Sequence, residues 1–350
     1  MSNERRPHNK LERFGATLVR LAVIRPATVA IIALLSALLG TAAAQPAGKV
    51  PRVGHLTPWS DSDPGRQRGL EAFRQGLREL GYVEGQTIVI ESRSAEGKDD
   101  RLPALAADLV RSKVDVIVAA SGAATRAVLQ TSRTIPVVMS LVNDPVGSGL
   151  IASLARPGGN VTGLTIMAPD LFGKRLQLLK EVVPKVSRVA LLRNPDNPAD
   201  TAMLREAEAA ARALGVQLQP LEARNPQEIE GAFAAMIRER AGALLMLSDA
   251  IFFTQRRQIA ELAAKGRLPS ILGTNEYPDA GGLMAYGPNL ADLDRRAATF
   301  VDRILKGARP GDLPVELPTK FDLVINLRTA KAIGLTIPPS LLQRADRIID

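Results

Sequence analysis

One order of elements occurs twice along this chain at a nearly constant offset, and that duplication limits the fold more than any single motif does. In the first copy, apolar runs alternate with amphipathic helices: a strand over 50–56, a helix over 64–80 stopped by Gly81, a strand over 87–92 and a helix over 100–113. A Val- and Ile-rich strand over 114–120, a helix over 123–132 and a strand over 135–142 complete it. The second copy has a strand over 188–192, a helix over 199–214 stopped by Gly215, a strand over 216–221, a helix over 225–240, and strands over 241–248 and 268–272. Landmarks pair 136 residues apart at Val53 and Val189, 134 at Gly81 and Gly215, 127 at Ser121 and Ser248, and 133 at Pro136 and Pro269. Continuous apolar strands between helices mean parallel sheets covered on both faces. The expected fold is α/β: two doubly wound parallel-sheet lobes with a ligand cleft between them. The expected boundaries are 50–160 for the first lobe, 161–285 for the second, and 286–350 for a crossover back to the first lobe and a tail.

In such sheets ligands sit beyond the carboxyl ends of the strands, where loops and helix N-termini converge. Ser121 and Gly122 join a buried strand to a helix, so the N–H groups and dipole there suit a carboxylate; the same geometry serves a plain N-cap. Asp249 follows the equivalent strand of the second copy and suits an ammonium through a charge-assisted bond, or caps the next helix. Trp59, the one tryptophan, lies in the loop after the first strand, where it stacks on a flat solute or packs over the lobe. Asn143, Asp144, Glu276 and Tyr286 are candidates on position alone, and Asp144 also suits an Asx brace of its own turn.

The first 45 residues differ from the rest. Arg5, Arg6, Lys10, Arg13, Arg20 and Arg25 stand against Glu4 and Glu12, and an uncharged run of 14 residues follows from Ala27 to Gly40. That run is short for a bilayer, which needs about 20 residues. Ala42-Ala-Ala44 then supplies small residues for a signal peptidase, so 1–44 reads as a signal peptide cleaved before Gln45, with an uncleaved anchor as the rival. The mature chain is expected in the periplasm. Six basic and two acidic side chains leave with the signal, so the net charge of +9 falls by four, to +5. The remaining basic residues are interleaved with acids and only 3% of the chain is aromatic, which argues against nucleic acid as a partner. With no Cys, disulfides, thiol catalysis and a lipid-anchored cysteine are excluded.

Catalysis has little to work with. Of two histidines, His8 leaves with the signal and His55 lies inside the first strand; no G-x-S-x-G elbow and no phosphate-binding G-x-x-x-x-G-K-[ST] loop occurs. Asn160-Val-Thr162 fits a glycosylation sequon and reads here as a turn. Gly147-Ser-Gly149-Leu-Ile-Ala152 fits the dinucleotide pattern G-x-G-x-x-A. That site, however, needs a longer helix than one ended by Arg156-Pro-Gly-Gly after about two turns, and an acid at the end of the next strand. No cofactor is expected.

Three separated stretches carry a resemblance: Ile135-Pro-Val-Val-Met-Ser-Leu-Val-Asn-Asp-Pro-Val-Gly-Ser-Gly-Leu150, Arg156-Pro-Gly-Gly-Asn-Val-Thr-Gly163 and Lys174-Arg-Leu-Gln-Leu-Leu-Lys-Glu-Val-Val-Pro184. With the ending over 317–341, they resemble the ABC transporter substrate-binding proteins of the tryptophan/tyrosine-binding TrpX type, across essentially 50–350. The resemblance implies a type I periplasmic-binding fold, two lobes joined by crossover strands and closing on a small solute. It also implies that 143–147 is a cleft-lining turn at the first crossover, with Gly147 and Gly149 permitting a tight bend and a short helix to Leu154. Where the family often has Thr-Pro and Asp-Asn, this chain has Ser121-Gly122 and Asp249-Ala250, which leaves organic acids, aromatic acids and other solutes open as ligands beside amino acids. The expected function is a non-enzymatic solute-binding subunit, monomeric, that delivers a small molecule to ABC permease subunits. The rivals are an exported sensory ligand-binding subunit, an exported enzyme on the same scaffold and a LacI-like repressor core. The last lacks its DNA-binding helix pair.

Overall fold

The computed structural model describes residues 49–167 and 171–350; the expected signal peptide over 1–44 lies outside them. The first sheet is built from β1 (Arg52–Thr57), β2 (Val89–Ser94), β3 (Val116–Ala119), β4 (Val137–Val142) and β5 (Val161–Thr165), in the order β2-β1-β3-β4-β5 with every pair parallel. Helices α1 (Pro64–Glu79), α2 (Leu102–Arg111) and α3 (Gly122–Thr131) connect its strands. Chain reversal after α1 falls to Gly81 at φ 89°, a left-handed position that favours glycine.

The second sheet repeats this order. It is entered through α4 (Leu171–Val182), followed by β6 (Arg188–Arg193), α5 (Asp200–Leu214), β7 (Gln217–Glu222), α6 (Pro226–Arg238) and β8 (Ala243–Met246). Then come α7 (Ala250–Thr254), α8 (Arg256–Lys265), β9 (Ser270–Leu272), α9 (Glu276–Asp279) and β10 (Met284–Pro288). The order β7-β6-β8-β9-β10 copies the first sheet strand for strand, and Gly215 at φ 63° answers Gly81. The paired landmarks Val53 and Val189 are both fully buried at equivalent places in β1 and β6. The offsets of the sequence therefore mark a structural duplication.

The chain crosses between the sheets more often than expected, and the strands divide differently from the boundaries at 160 and 285. Val161–Thr165 pairs with β4 and completes the first sheet. After β10 the chain returns to the first lobe as α10 (Leu290–Leu305), where Leu293, Ala297, Phe300 and Val301 cover the sheet face shared with Phe73 and Leu77 of α1. It then runs beside β5, with Thr162 Oγ1 donating to the Leu313 carbonyl at 2.7 Å, and goes back to the second sheet. There β11 (Phe321–Asn326) pairs antiparallel to β10, and β12 (Arg347–Ile349) pairs parallel to β11, with α11 (Leu327–Ala332) and α12 (Pro339–Leu342) between them. The segment expected as a tail thus forms an edge of the second sheet.

Both sheets are covered on both faces. The first packs one core around Leu56, Ile117 and Met139 and another around Val53, Val118 and Val138; the second has Val189, Leu191 and Leu245 on one side and Ala190, Leu244 and Met246 on the other. The register of β4 slips between Met139 and Val142, and Leu141 takes φ 57° there, an uncommon conformation for a branched residue. Gly163 of β5 lies against this irregularity at φ 132°, where a Cβ would come within 2.1 Å of the Met139 carbonyl oxygen. Gly163→Ala should therefore cost about 3 kcal/mol or more in denaturant unfolding; a loss under about 1 kcal/mol would mean that β4 yields easily.

The lobes meet along a polar seam. Asp63, the N-cap of α1, forms a largely buried ion pair with Arg256 of α8, and Arg68 reaches Asp279 at 3.3 Å and Glu276 at 3.5 Å. Behind these contacts His55 Nδ1 and Arg66 Nη2 are 3.0 Å apart, and Ser140 Oγ donates to Asp294 of α10 at 3.4 Å. Burial pushes the Asp294 carboxyl up to about 7, with Arg66 opposing. A carboxyl raised in the folded state holds its proton there after the unfolded chain has lost it, so its contribution to stability falls as pH rises from about 4 to about 7. Asp294→Asn removes that term. The variant's stability relative to the parent should climb across this window and level off above it; a difference independent of pH would refute the assignment.

Candidate functional site

The carboxyl ends of the strands from both sheets enclose one cavity of about 710 Å³, a size usual for small-molecule sites. Each strand end contributes through its own loop. After β1 come Pro58 and Trp59, after β3 Ser121 and Gly122, and after β4 Asn143 and Asp144. The second lobe answers with Asn194 after β6, Ser248 and Asp249 after β8, and Thr274 after β9. This convergence follows from the parallel order, which places every carboxyl end of a sheet along one edge.

Ser121 is the N-cap of α3: its Oγ accepts from the Ala124 N–H at 3.0 Å, and the residue is buried. The first N–H groups of a helix have no acceptor within it, so Gly122 and Ala123, both on the cavity wall, bring a donor-rich, electropositive end to the cleft. Asp249 caps α7, accepting from the Ile251 N–H at 2.9 Å, and is held by Asn197 Nδ2 at 2.8 Å and Asn194 Nδ2 at 3.3 Å. Burial pushes its pKa up, while these three donors act the other way. It is a fixed, enclosed carboxyl group that gains from a cationic partner.

Trp59 packs on Phe253 of the opposite lobe, ring centroids 5.1 Å apart at 50°, so an aromatic pair spans the cleft beside the cavity. Asn143 Nδ2 donates to the Ser248 carbonyl at 3.2 Å and ties the lobes at the cavity wall. Asp144 braces its turn by accepting from the Gly147 N–H at 2.7 Å, and a Cβ at Gly147 would lie 2.0 Å from the Asp144 carboxylate. That contact, together with Gly149 at φ 70°, explains the glycine spacing of the dinucleotide-like stretch. The expected short helix to Leu154 is absent; 145–149 is a run of turns, after which the Leu150 and Ile151 N–H groups both donate to the Pro145 carbonyl.

Two candidates lie elsewhere. Glu276 begins α9 one step beyond the strand end and sits in the seam, beside a second cavity of about 40 Å³ with Arg66, Arg68 and Asp294, not in the main one. Tyr286 is inside β10, where its ring stacks on Phe321 of β11 at 6.2 Å and only its carbonyl points to the site's architecture, accepting from Arg175 Nε at 2.8 Å. Conversely, Arg126, Arg175, Asn197 and Phe253 line the cavity without having been singled out from the sequence. For Arg175 a signal existed: it is a charge on the buried stripe Phe172, Leu176 and Leu179 of α4.

Comparisons with known proteins agree with this geometry. A protein from Vibrio cholerae O1 biovar El Tor is superposable with TM-score 0.80 at 26% identity, over 86% of this chain and 100% of that one. The ABC domain from Streptococcus pneumonia in complex with L-Trp gives 0.79 at 25% identity, over 85% and 99%. The tyrosine-binding protein of Clostridioides difficile is 24% identical over 273 residues, 78% of each chain. The fold is the type I periplasmic-binding fold that the sequence suggested. The family model for the ABC transporter substrate binding protein matches residues 61–349, nearly the whole of the two-lobed unit, and this chain belongs to that family.

Proposed function

We propose that this chain captures a small solute, an amino acid or a related small organic acid, in the periplasm and delivers it to the permease subunits of an ABC importer. It acts by closing two lobes on the solute and not by making or breaking bonds. The observation that carries the reading is the pairing, on one cavity wall, of the donor-rich N-terminus of α3 with the enclosed carboxyl group of Asp249 from the other lobe. A zwitterion matches both, its carboxylate at Ser121 and Gly122 and its ammonium at Asp249. The relatives' names support the class: one is a tyrosine-binding protein, and another holds L-Trp. Trp59 and Phe253 supply an apolar, aromatic wall for the solute's body. Because a ligand between the lobes contacts both only when they are together, binding biases the opening equilibrium toward the closed form.

Two measurements test this. Thermal unfolding against a library of amino acids, aromatic acids, other organic acids, sugars and nucleotides should give a stabilising hit among the acids, by about 2.7 kcal/mol at a hundredfold excess over Kd. A hit confined to nucleotides would overturn the reading. Asp249→Asn keeps an oxygen to cap α7 but loses the charge. It should weaken an amino-acid ligand by roughly 10- to 100-fold while leaving the stability of the free protein within about 1 kcal/mol of the parent.

A further inference from the structure

Three fully buried polar atoms without a hydrogen-bond partner among the described residues belong to side chains on the cavity wall: Trp59 Nε1, Arg175 Nη1 and Thr274 Oγ1. Two of them share a corner. Arg175 comes from α4 and is only 1% exposed, with its guanidinium carbon 5.2 Å from the Phe172 ring centroid and its Nε donating to the Tyr286 carbonyl. Its Nη2 lies against Gly273, the residue before Thr274, where a Cβ would come within 2.1 Å of it. Gly287 of β10 is packed in turn on Gly273, where a Cβ would meet the Gly273 carbonyl oxygen at 1.9 Å. Two glycines in neighbouring segments therefore make the slot through which a guanidinium reaches the cleft.

A cation enclosed in this way is costly unless an anion meets it. Burial lowers its pKa to about 10, with Glu206 and Tyr286 acting against that shift, so Arg175 is still charged at neutral pH. The N-terminus of α3 offers a place for one carboxylate and Asp249 a place for an ammonium. The Arg175 corner, which nothing in that pairing uses, presents the unpartnered Arg175 Nη1 and, one residue beyond Gly273, the unpartnered Thr274 Oγ1, while Glu206 and the Tyr286 carbonyl act on the guanidinium from the protein side.

We propose that Arg175 and Thr274 hold a second acidic group of the solute, so that the cargo is a small dicarboxylate, with acidic amino acids the leading members of the class. This rests on the solute-capture reading above and adds the side-chain chemistry to it. A planar guanidinium, whose Nε is committed to the Tyr286 carbonyl while Nη1 has no partner among the described residues, also suits a slot this narrow better than a lysine ammonium.

The test is calorimetric titration of the purified protein with L-aspartate, L-glutamate, L-2-aminoadipate, succinate and phthalate. Each is set against a monocarboxylate or amide of matching shape: L-asparagine, L-glutamine, L-leucine, butyrate and benzoate. At least one dicarboxylate should bind more tightly than its counterpart by about tenfold or more. Arg175→Met should weaken that dicarboxylate by at least about 30-fold and change its counterpart by less than about threefold. Thr274→Val should cost about fivefold and serves if the first variant fails to fold.

If the counterparts bind as tightly as the dicarboxylates and Arg175→Met lowers only the melting temperature, Arg175 is a structural residue. The inference then falls while solute capture stands. If no member of this panel or of the wider library binds the parent protein, the capture reading itself falls, and this inference with it.

Discussion

Both sheets are parallel at their centres and covered by helices on both faces, and that arrangement decides where chemistry can occur. Strands such as β3 and β8, buried along their whole length, have no room for charge. The charged and hydrogen-bonding side chains that face a ligand must come from the loops at one edge of each sheet, or from helices that reach over that edge. Ser121 and Asp249 are caps first: each satisfies a free backbone N–H at the start of a helix, and each is held at the cavity wall by doing so. Local helix chemistry and site geometry are therefore one constraint, and the duplication presents the two edges to each other.

Much of this was legible in the amino-acid order. The alternation of apolar runs and amphipathic helices gave the first four strands of each lobe, and the offset between Gly81 and Gly215 held in three dimensions because both occupy left-handed positions after a helix. The crossings were harder. The strand Val161-Thr-Gly-Leu-Thr165 carries two threonines and a glycine, which dilute its apolar signal, and its glycine is needed only because β4 bends beside it. The expected crossover over 286–350 carried no elements, and nothing local in it shows that one apolar face of α10 covers the first sheet while the strands on either side of the helix belong to the second.

The candidate site was legible where it follows from strand ends. Trp59, Ser121, Gly122, Asn143, Asp144 and Asp249 all lie on the cavity wall because each follows the carboxyl end of a strand. Glu276 fails the same argument by one turn: β9 ends at Leu272, Thr274 faces the cavity, and α9 carries the next residues into the seam. Tyr286 fails because side chains alternate along a strand, and its face of β10 meets Phe321. Arg175 escaped a search of loops because it projects from the middle of a helix, through a gap that exists only where Gly273 and Gly287 come together. Those glycines are 14 positions apart in the chain, so sequence spacing alone does not reveal the gap.

The balance between seam and cavity has a consequence for closure. Outside the cavity the lobes are joined by paired groups, Asp63 with Arg256 and Arg68 with Asp279, although Arg66 Nε and Glu276 Oε2 in the same seam are buried without partners among the described residues. At the cavity wall Trp59 Nε1, Arg175 Nη1 and Thr274 Oγ1 are buried without partners among the described residues. A buried donor left unmade costs about 1–3 kcal/mol, more when charged, whereas a direct tie such as that of Asn143 to the Ser248 carbonyl contributes only about 1 kcal/mol net. The proposed closure without a solute would leave these atoms unmet at a cost that one such tie does not offset. On the proposed reading, the solute brings the acceptors that remove it. The free energy that selects the closed form then comes from satisfying donors the fold has already buried, and the seam has only to set the geometry in which they are met.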